Sequence, residues 1–573
     1  MAIYDGYGTQ QFYFSNVLKY DPDQLRSDLA GPGGAGLVFN GSTSVASQLN
    51  DLTSSVSALN QRVDWTTPEE HGAIGDGVTD DTAAMNDAVG TGKDVRLKPG
   101  ATYLISSPII FPYTATMQNF EGSSALIKSN ANFLTFRQKL ADATINDVTT
   151  NKNFFNVRAQ GNAHARSIYS QVAASQFLKI SNGMAINCSA VGFNNALSLM
   201  GNARAVNLYA DDIRNAALRA EGDNNFFMGL SAGWVAGDVV LIKSNNSYFG
   251  NLFCQHAGIS PPDTEEPETL KDQGAMVSFA QDGQNAIGNI VDTCHCQNYG
   301  GAFAVFSGSF NKMTGSLYGG KFDESRRAKG AGNAIYMSGV SNSIADVQFD
   351  LVYSGIEMHT GSQDCVIGYI TIERKSSFGT YAISINGTTT DCSIRGLHVK
   401  RGLSKSADAY LGTDGTSIGE LKLENFSGPT SGASPVRVLG ANTIDRLYVS
   451  QSSSATTTFV NVIFQGNARI RELCIDNCLG TSLSVASGVT PMIDKLTINP
   501  DPTSTATPCL FNGSATDSRV VGQMTIRGGS AISPPRANGV LRITGYSGPS
   551  WVRADSSITG TVYYSDQTSH SLS

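Results

Sequence analysis

The stretches "SIADVQFD" at Ser343–Asp350 and "VIGYITIE" at Val366–Glu373 decide how this chain is read. In each, an apolar residue is followed by others three and five positions later: Ile344, Val347 and Phe349, then Ile367, Ile370 and Ile372. Alternation of this kind is the period of two that a strand shows when one of its faces is buried. The spacing returns in "SIRGLHVK", "SIGELKLE", "TIDRLYVS", "RIRELCID", "MIDKLTIN" and "VVGQMTIR", which start at Ile394, Ile418, Ile444, Ile470, Ile493 and Val521. Weaker copies start at Ala203, Phe227, Phe249, Ile287 and Met313. A unit of about 25 residues cannot cover its own apolar face, so its neighbours must stack on it. The expected fold is therefore all-β, a parallel solenoid. A propeller needs about 40 residues per repeat and leucine-rich repeats carry their own signature, and neither fits.

Composition agrees. The chain has 573 residues, 60 of them glycine, and only 15% are charged, as expected of a strand-rich, turn-rich molecule with much buried surface. With 40 basic and 48 acidic residues the net charge is -8, and no Lys/Arg run is available to neutralise a row of phosphates, so nucleic acid is not expected as a partner. No apolar run approaches the length of a membrane span, and "MAIYDGYGTQ" does not read as a signal peptide; a soluble protein is expected. Nine cysteines, without paired zinc spacing, read as reduced and mostly buried thiols. Cys365 and Cys392 share the position two before a repeat start and should stack. No cofactor and no metal site is expected.

Residues 1–44 are irregular and rich in Tyr, Phe and Gly. Between 45 and 65, Val45, Leu49, Leu52, Val56, Leu59 and Val63 step by four and three, the seam of a short coiled-coil neck; one amphipathic helix lying on a domain is the alternative. Then comes "HGAIGDGVTDDTAAMNDAV", His71–Val89, with Asp76, Asp80, Asp81 and Asp87 among glycines. The alternating ligands and closing Glu of a calcium loop are missing. A lid fits better: Thr79 or Asp80 as N-cap, with Ala84, Met85, Ala88 and Val89 as the apolar stripe of a helix that covers the open solenoid end.

Gly72 to Thr82 also resembles the opening of the pectate-lyase-like domains of bacteriophage tailspikes, and "LRSDLAGPGGAGLVF" at Leu25–Phe39 resembles a stretch found ahead of such domains. The resemblance implies a right-handed parallel β-helix over residues 66–530, a capping helix, a homotrimer, and a virion-attachment segment at 1–44 that meets other tail proteins. It also implies a depolymerase acting outside the cell on bacterial capsular polysaccharide. Residues 531–573, where Pro and Gly interrupt the period, read as a β module that closes the solenoid and joins subunits.

Chemistry should then lie on the outer wall. Reading six positions after each start gives Thr293, Gly319, Asp350, Glu373, Lys400 and Glu424. Asp350 and Glu373 become neighbours on strands about 4.8 Å apart. Two carboxylates that close repel when both are ionised, and such a pair supplies an acid with a base or nucleophile for glycoside cleavage. A second strand aligns "AIYM", "GIEM" and "AISI" and turns Tyr336, Glu357 and Ser384 outward, which makes Glu357 the third catalytic candidate. Two long repeats, containing "PPDTEEPETLKDQGAM" and "KFDESRRAKGAG", should project from one corner and wall the groove. Arg326, Arg327, Arg374 and Lys400 bring positive charge for an acidic polysaccharide, with Tyr336, Ser384 and His359 as further substrate contacts. A lyase that eliminates beside a uronate carboxylate and a tail fibre that binds glycan without cutting it are the alternatives.

Overall fold

The computed structural model describes residues 65–113, 117–129, 133–139, 150–161, 175–259, 274–279, 286–323, 333–375, 381–386, 389–400, 409–412, 415–426, 436–451, 460–513, 517–527, 534–553, 560–563 and 569–571. Four two-residue strands before residue 65 are also described. The chain divides into two units, Met1–Trp65 and Thr66–Ser573. In the first, Ile3–Tyr4 pairs antiparallel with Gln10–Gln11, and Phe39–Asn40 with Thr43–Ser44. The heptad seam at 45–63 lies outside the described residues.

The second unit is a parallel β-helix. Among the described residues one sheet holds 26 strands and a second holds 16, and strands of one turn pair in parallel with those of the next. The repeat register is the one the periodicity predicts: Ile344 pairs with Ile367, Ile367 with Ile394, and the column continues through Ile418, Ile444, Ile470, Ile493 and Val521. The side chains at the start, +3 and +5 positions form the core; Ile367, Ile370, Ile372 and Phe349 are all fully buried. On the second sheet Ile335, Ile356 and Ile383 stack in the same way.

Two positions before each start runs an interior polar column: Asn225, Ser247, Asn289, Asn311 and Asn342. Buried amides need partners, and these find one another: Asn289 Nδ2 donates to Asn311 Oδ1 at 2.9 Å and Asn311 Nδ2 to Asn342 Oδ1 at 3.2 Å. Cys365 and Cys392 continue the column as buried free thiols. Contact with the Cys392 sulfur, and then burial, push the Cys365 thiol up. The residue just before each member turns through the left-handed region, as at Asn224, Asn246, Ser341 and Asp364, which is why Asn and Asp recur there.

The lid is present. The helix Thr82–Gly90 buries Ala84, Met85, Ala88 and Val89. Its N-cap is Asp81 rather than Thr79 or Asp80, and Asp81 accepts from the Ile74 and Gly75 amides instead of from its own helix. Asp76 closes a turn on the Val78 and Thr79 amides, and Asp80 ties Thr82 to Ser106. These aspartates therefore serve as structural acceptors.

Three sequence expectations need correction. The weak copies at Ala203 and Ile287 are displaced, since the column runs through Ala205 and Val291. The strand Lys312–Phe322 carries an extra residue near Gly315, whose φ is 73°, so Cys296 faces Gly319 and Gly319 points inward. The outward column ahead of Asp350 is thus Gln297 and Gly320, not Thr293 and Gly319. Finally, parallel rungs run on past residue 530: Gly539–Ser547 pairs with Ser518–Ile526, and Gly560–Tyr563 with Gly539–Ser547, before Ser569–Ser571 turns back antiparallel. Among the described residues beyond 530, the strands Gly539–Ser547 and Gly560–Tyr563 thus continue the parallel ladder, a period that Pro534 and Pro535 hid.

Candidate active site groove

Phe349 pairs with Ile372 and Leu351 with Arg374, so Asp350 lies against Glu373 on the adjacent strand. Val399 pairs with Leu423, and the outward row continues from Glu373 to Lys400 and Glu424. Asp350, Glu373, Arg374, Lys400, Glu424 and Asn425 line one open groove of about 500 Å³.

Each carboxylate of the pair has its own donor, which offsets the repulsion expected between them. Tyr318 OH donates to Asp350 Oδ2 at 2.6 Å, and that bond, with burial next, pushes the phenol up to about 12. Tyr318 was not anticipated, because the extra residue at Gly315 shifts it out of the sequence register. Lys400 Nζ bonds Glu373 Oε1; both side chains are about two-fifths exposed, so this is a partly screened surface pair. Arg374 is exposed and carries no hydrogen bond or ion pair among the described residues. Behind this lining, His398 Nε2 meets Glu424 Oε2 at 2.6 Å and Lys422 Nζ meets Glu424 Oε1 at 2.8 Å. Burial raises the Glu424 carboxyl, but the hydrogen bonds from Lys422 and His398 outweigh it and hold the group below its ordinary value.

Glu357 lies on the other sheet, beyond the corner at Tyr353, in register between Tyr336 and Ser384. Asn333 donates to its Oε2. Burial, and then the Glu357 charge, raise the Tyr336 phenol, and the Tyr336 ring stands 5.7 Å from that of the exposed His359. Ser384 departs from expectation: it holds the outward register but is only 4% exposed, so it is covered rather than presented. The two long insertions leave the rod at equivalent points, since Ala257 and Phe322 both stack on Tyr299. Arg326, Arg327 and most of both insertions lie outside the described residues.

Comparison with known proteins agrees with this architecture. Residues 66–254 match the family model "Rhamnogalacturonase A/epimerase, pectate lyase-like", and residues 1–24 match "Head binding". A stretch of 29 residues is 76% identical to the tail spike protein of Shigella phage Sf6, covering 5% of each chain. Among solved structures, the tailspike protein of E. coli bacteriophage HK620, in complex with a pentasaccharide, has a TM-score of 0.31 at 12% identity over 95% of this chain and 87% of that one. The pre-mature gene product 12 of bacteriophage phi29 has 0.34 at 10% identity over 90% and 75%. At such TM-scores the likeness says nothing of substrate. The class is thus a parallel β-helix, whose residues 66–254 are similar to a pectate-lyase-like family. The two short N-terminal matches are to a head-binding module and to a phage tail spike protein.

Proposed function

We propose that the protein is a tailspike depolymerase that hydrolyses a bacterial capsular polysaccharide and is fixed to the phage particle through its N-terminal segment. The observation that carries the reading is the Asp350–Glu373 pair, on adjacent rungs of a groove that also holds Arg374 and Lys400. At a rung spacing of about 4.8 Å the backbones suit the closer, retaining arrangement, in which one carboxylate is the nucleophile and the other the acid. Arg374 would meet an anionic group of the glycan, and Glu357 with Tyr336 and His359 would form a second contact surface.

The test is digestion of a panel of purified capsules by the wild type and by Asp350→Asn, Glu373→Gln and Glu357→Gln. Hydrolysis gives new reducing ends without ultraviolet absorbance, and the first two variants should lose at least about a hundredfold in rate while melting with the wild type. Absorbance from an unsaturated product would transfer the reading to a lyase. Retention of every capsule at constant chain length would leave a binding fibre.

A further inference from the structure

We propose that a second trough, beside the groove of Asp350 and Glu373, is a glycan-holding site in which the Tyr369 ring is the platform for a pyranose. The inference rests on the reading above that the protein meets a polysaccharide, and not on its cleaving one. Tyr369, Gly396 and Glu420 follow one another in one outward row on three successive rungs. The ring lies over Gly396: a Cβ there would stand 2.4 Å from both Cδ2 and Cε2, so only glycine leaves room for it. The residue is fixed at both ends, since Tyr369 OH donates to Glu420 Oε2 at 2.9 Å and the Tyr369 amide donates to Asp346 Oδ1 at 2.7 Å. The ring thus packs on backbone from below, and the partly exposed residue lines an open groove of about 420 Å³ with Asp346 and Arg395. The C–H groups on one side of a pyranose carry slight positive charge and sit well on the negative face of such a ring.

From Glu420 the row continues through Arg446, Glu472 and Lys495. These four line a further open groove of about 500 Å³, with Asp445 and Arg471 in the row beside them. The two grooves meet at the Tyr369–Glu420 bond. Together they cover seven rung-to-rung steps, from the rung of Leu317 to that of Lys495, about 34 Å at a spacing of about 4.8 Å. The trough runs alongside the groove of Asp350 and Glu373: Glu420 and Glu424 stand on one strand, four residues and roughly 13 Å apart. Its walls are ordered by their own ion pairs, Asp346 with Arg395 at 3.4 Å, Asp445 with Arg471 at 3.3 Å and Glu472 with Lys495 at 2.7 Å. Arg446 is exposed and makes no hydrogen bond or ion pair among the described residues, which leaves its guanidinium to sugar oxygens. Acid and base alternate along the row, so its carboxylates are not register neighbours as Asp350 and Glu373 are. The trough therefore grips a chain of sugars without cutting it.

The experiment measures binding to an immobilised capsule by the Asp350→Asn protein, which takes cleavage out of the comparison, alone and with Tyr369→Ala, Tyr369→Phe or Arg446→Ala added. Loss of the ring should raise Kd by about tenfold, the scale of one aromatic contact, whereas Tyr369→Phe keeps the ring and should bind as its parent does. Arg446→Ala, at an exposed position, should also weaken binding, so the site is tested even if Tyr369→Ala melts early. Hydroxyl-radical footprinting should show Tyr369 protected by bound capsule. If the Tyr369→Ala and Arg446→Ala proteins bind as the parent does, the site is overturned; a smaller mass in solution alongside that unchanged binding would assign the face to a second copy of this chain. Equal weakening by Tyr369→Phe and Tyr369→Ala overturns the ring as platform. Because only binding is read, a wild type that retains capsule and cuts none removes the hydrolytic reading while the same Kd values still decide on Tyr369. A wild type that retains no capsule of the panel removes both.

Discussion

Gly319→Ala tests the register beneath the groove. A Cβ at this position would stand 2.1 Å from Phe349 Cε1 and 2.3 Å from Cδ1. Carbon atoms in contact are about 3.5–4.0 Å apart, so the ring must retreat by well over an ångström. It has nowhere to go: Phe349 is fully buried, edge-on to Phe303 at 5.4 Å and tilted against Tyr299 at 6.2 Å. Overpacking of this kind costs about 1–3 kcal/mol. An outward Gly319, as the simple repeat count has it, would give the opposite sign, since Gly→Ala at a compatible site stabilises by about 0.4–1 kcal/mol through the unfolded chain. Thermal unfolding of matched samples reads the sign, and Phe349→Leu in the Gly319→Ala background should recover most of the loss. Because Phe349 precedes Asp350, the clash should also lower cleavage. A Gly319→Ala protein that melts at or above the wild type would refute the inward placement of Gly319.

Two further outcomes follow from a buried cation and an exposed, hydrogen-bonded carboxylate. Arg519 is 1% exposed and donates to the carbonyls of Ala486, Val489, Asn512 and Asn538 and to Asp517, so Arg519→Met should strip several buried acceptors of their donor and cost at least about 3 kcal/mol, seen as a lower melting temperature. Asp80 is held below its ordinary value by hydrogen bonds from Ser106 and Thr82, so its contribution is present above the unfolded value near pH 4 and is lost as pH falls through the lower folded value. The gap in melting temperature between wild type and Asp80→Asn should therefore be widest near neutrality, reflect at most about 1 kcal/mol at this exposed site, and close in acid; a constant gap would contradict it.

The rod was legible because inward residues obey one rule at every rung: Ile344, Ile367 and Ile394 must coincide or the core opens. Legibility failed where glycine relaxed that rule. The extra residue near Gly315 moved Gly319 inward and brought Tyr318 to Asp350, and no periodicity count detects an insertion that a left-handed glycine absorbs. Ala203 and Ile287 misled for a related reason, since apolar residues also occur in the turns. At the site, the Asp350–Glu373 adjacency follows from register alone, whereas the His398–Glu424–Lys422 network depends on side-chain directions across two rungs. Ser384 shows the limit from the other side: register gives the direction of a side chain, not what lies over it.

The ladders between rungs have a mechanical consequence. Backbone hydrogen bonds from Ile344 through Val521 run along the long axis, so every join between turns is coupled in series with the next. Pulling the ends apart loads each join fully, and the weakest one yields for the whole length; pushing from either end closes the same joins and bears on packed side chains. Such a shaft is stiff when driven against a surface and comparatively easy to unzip when drawn away from one.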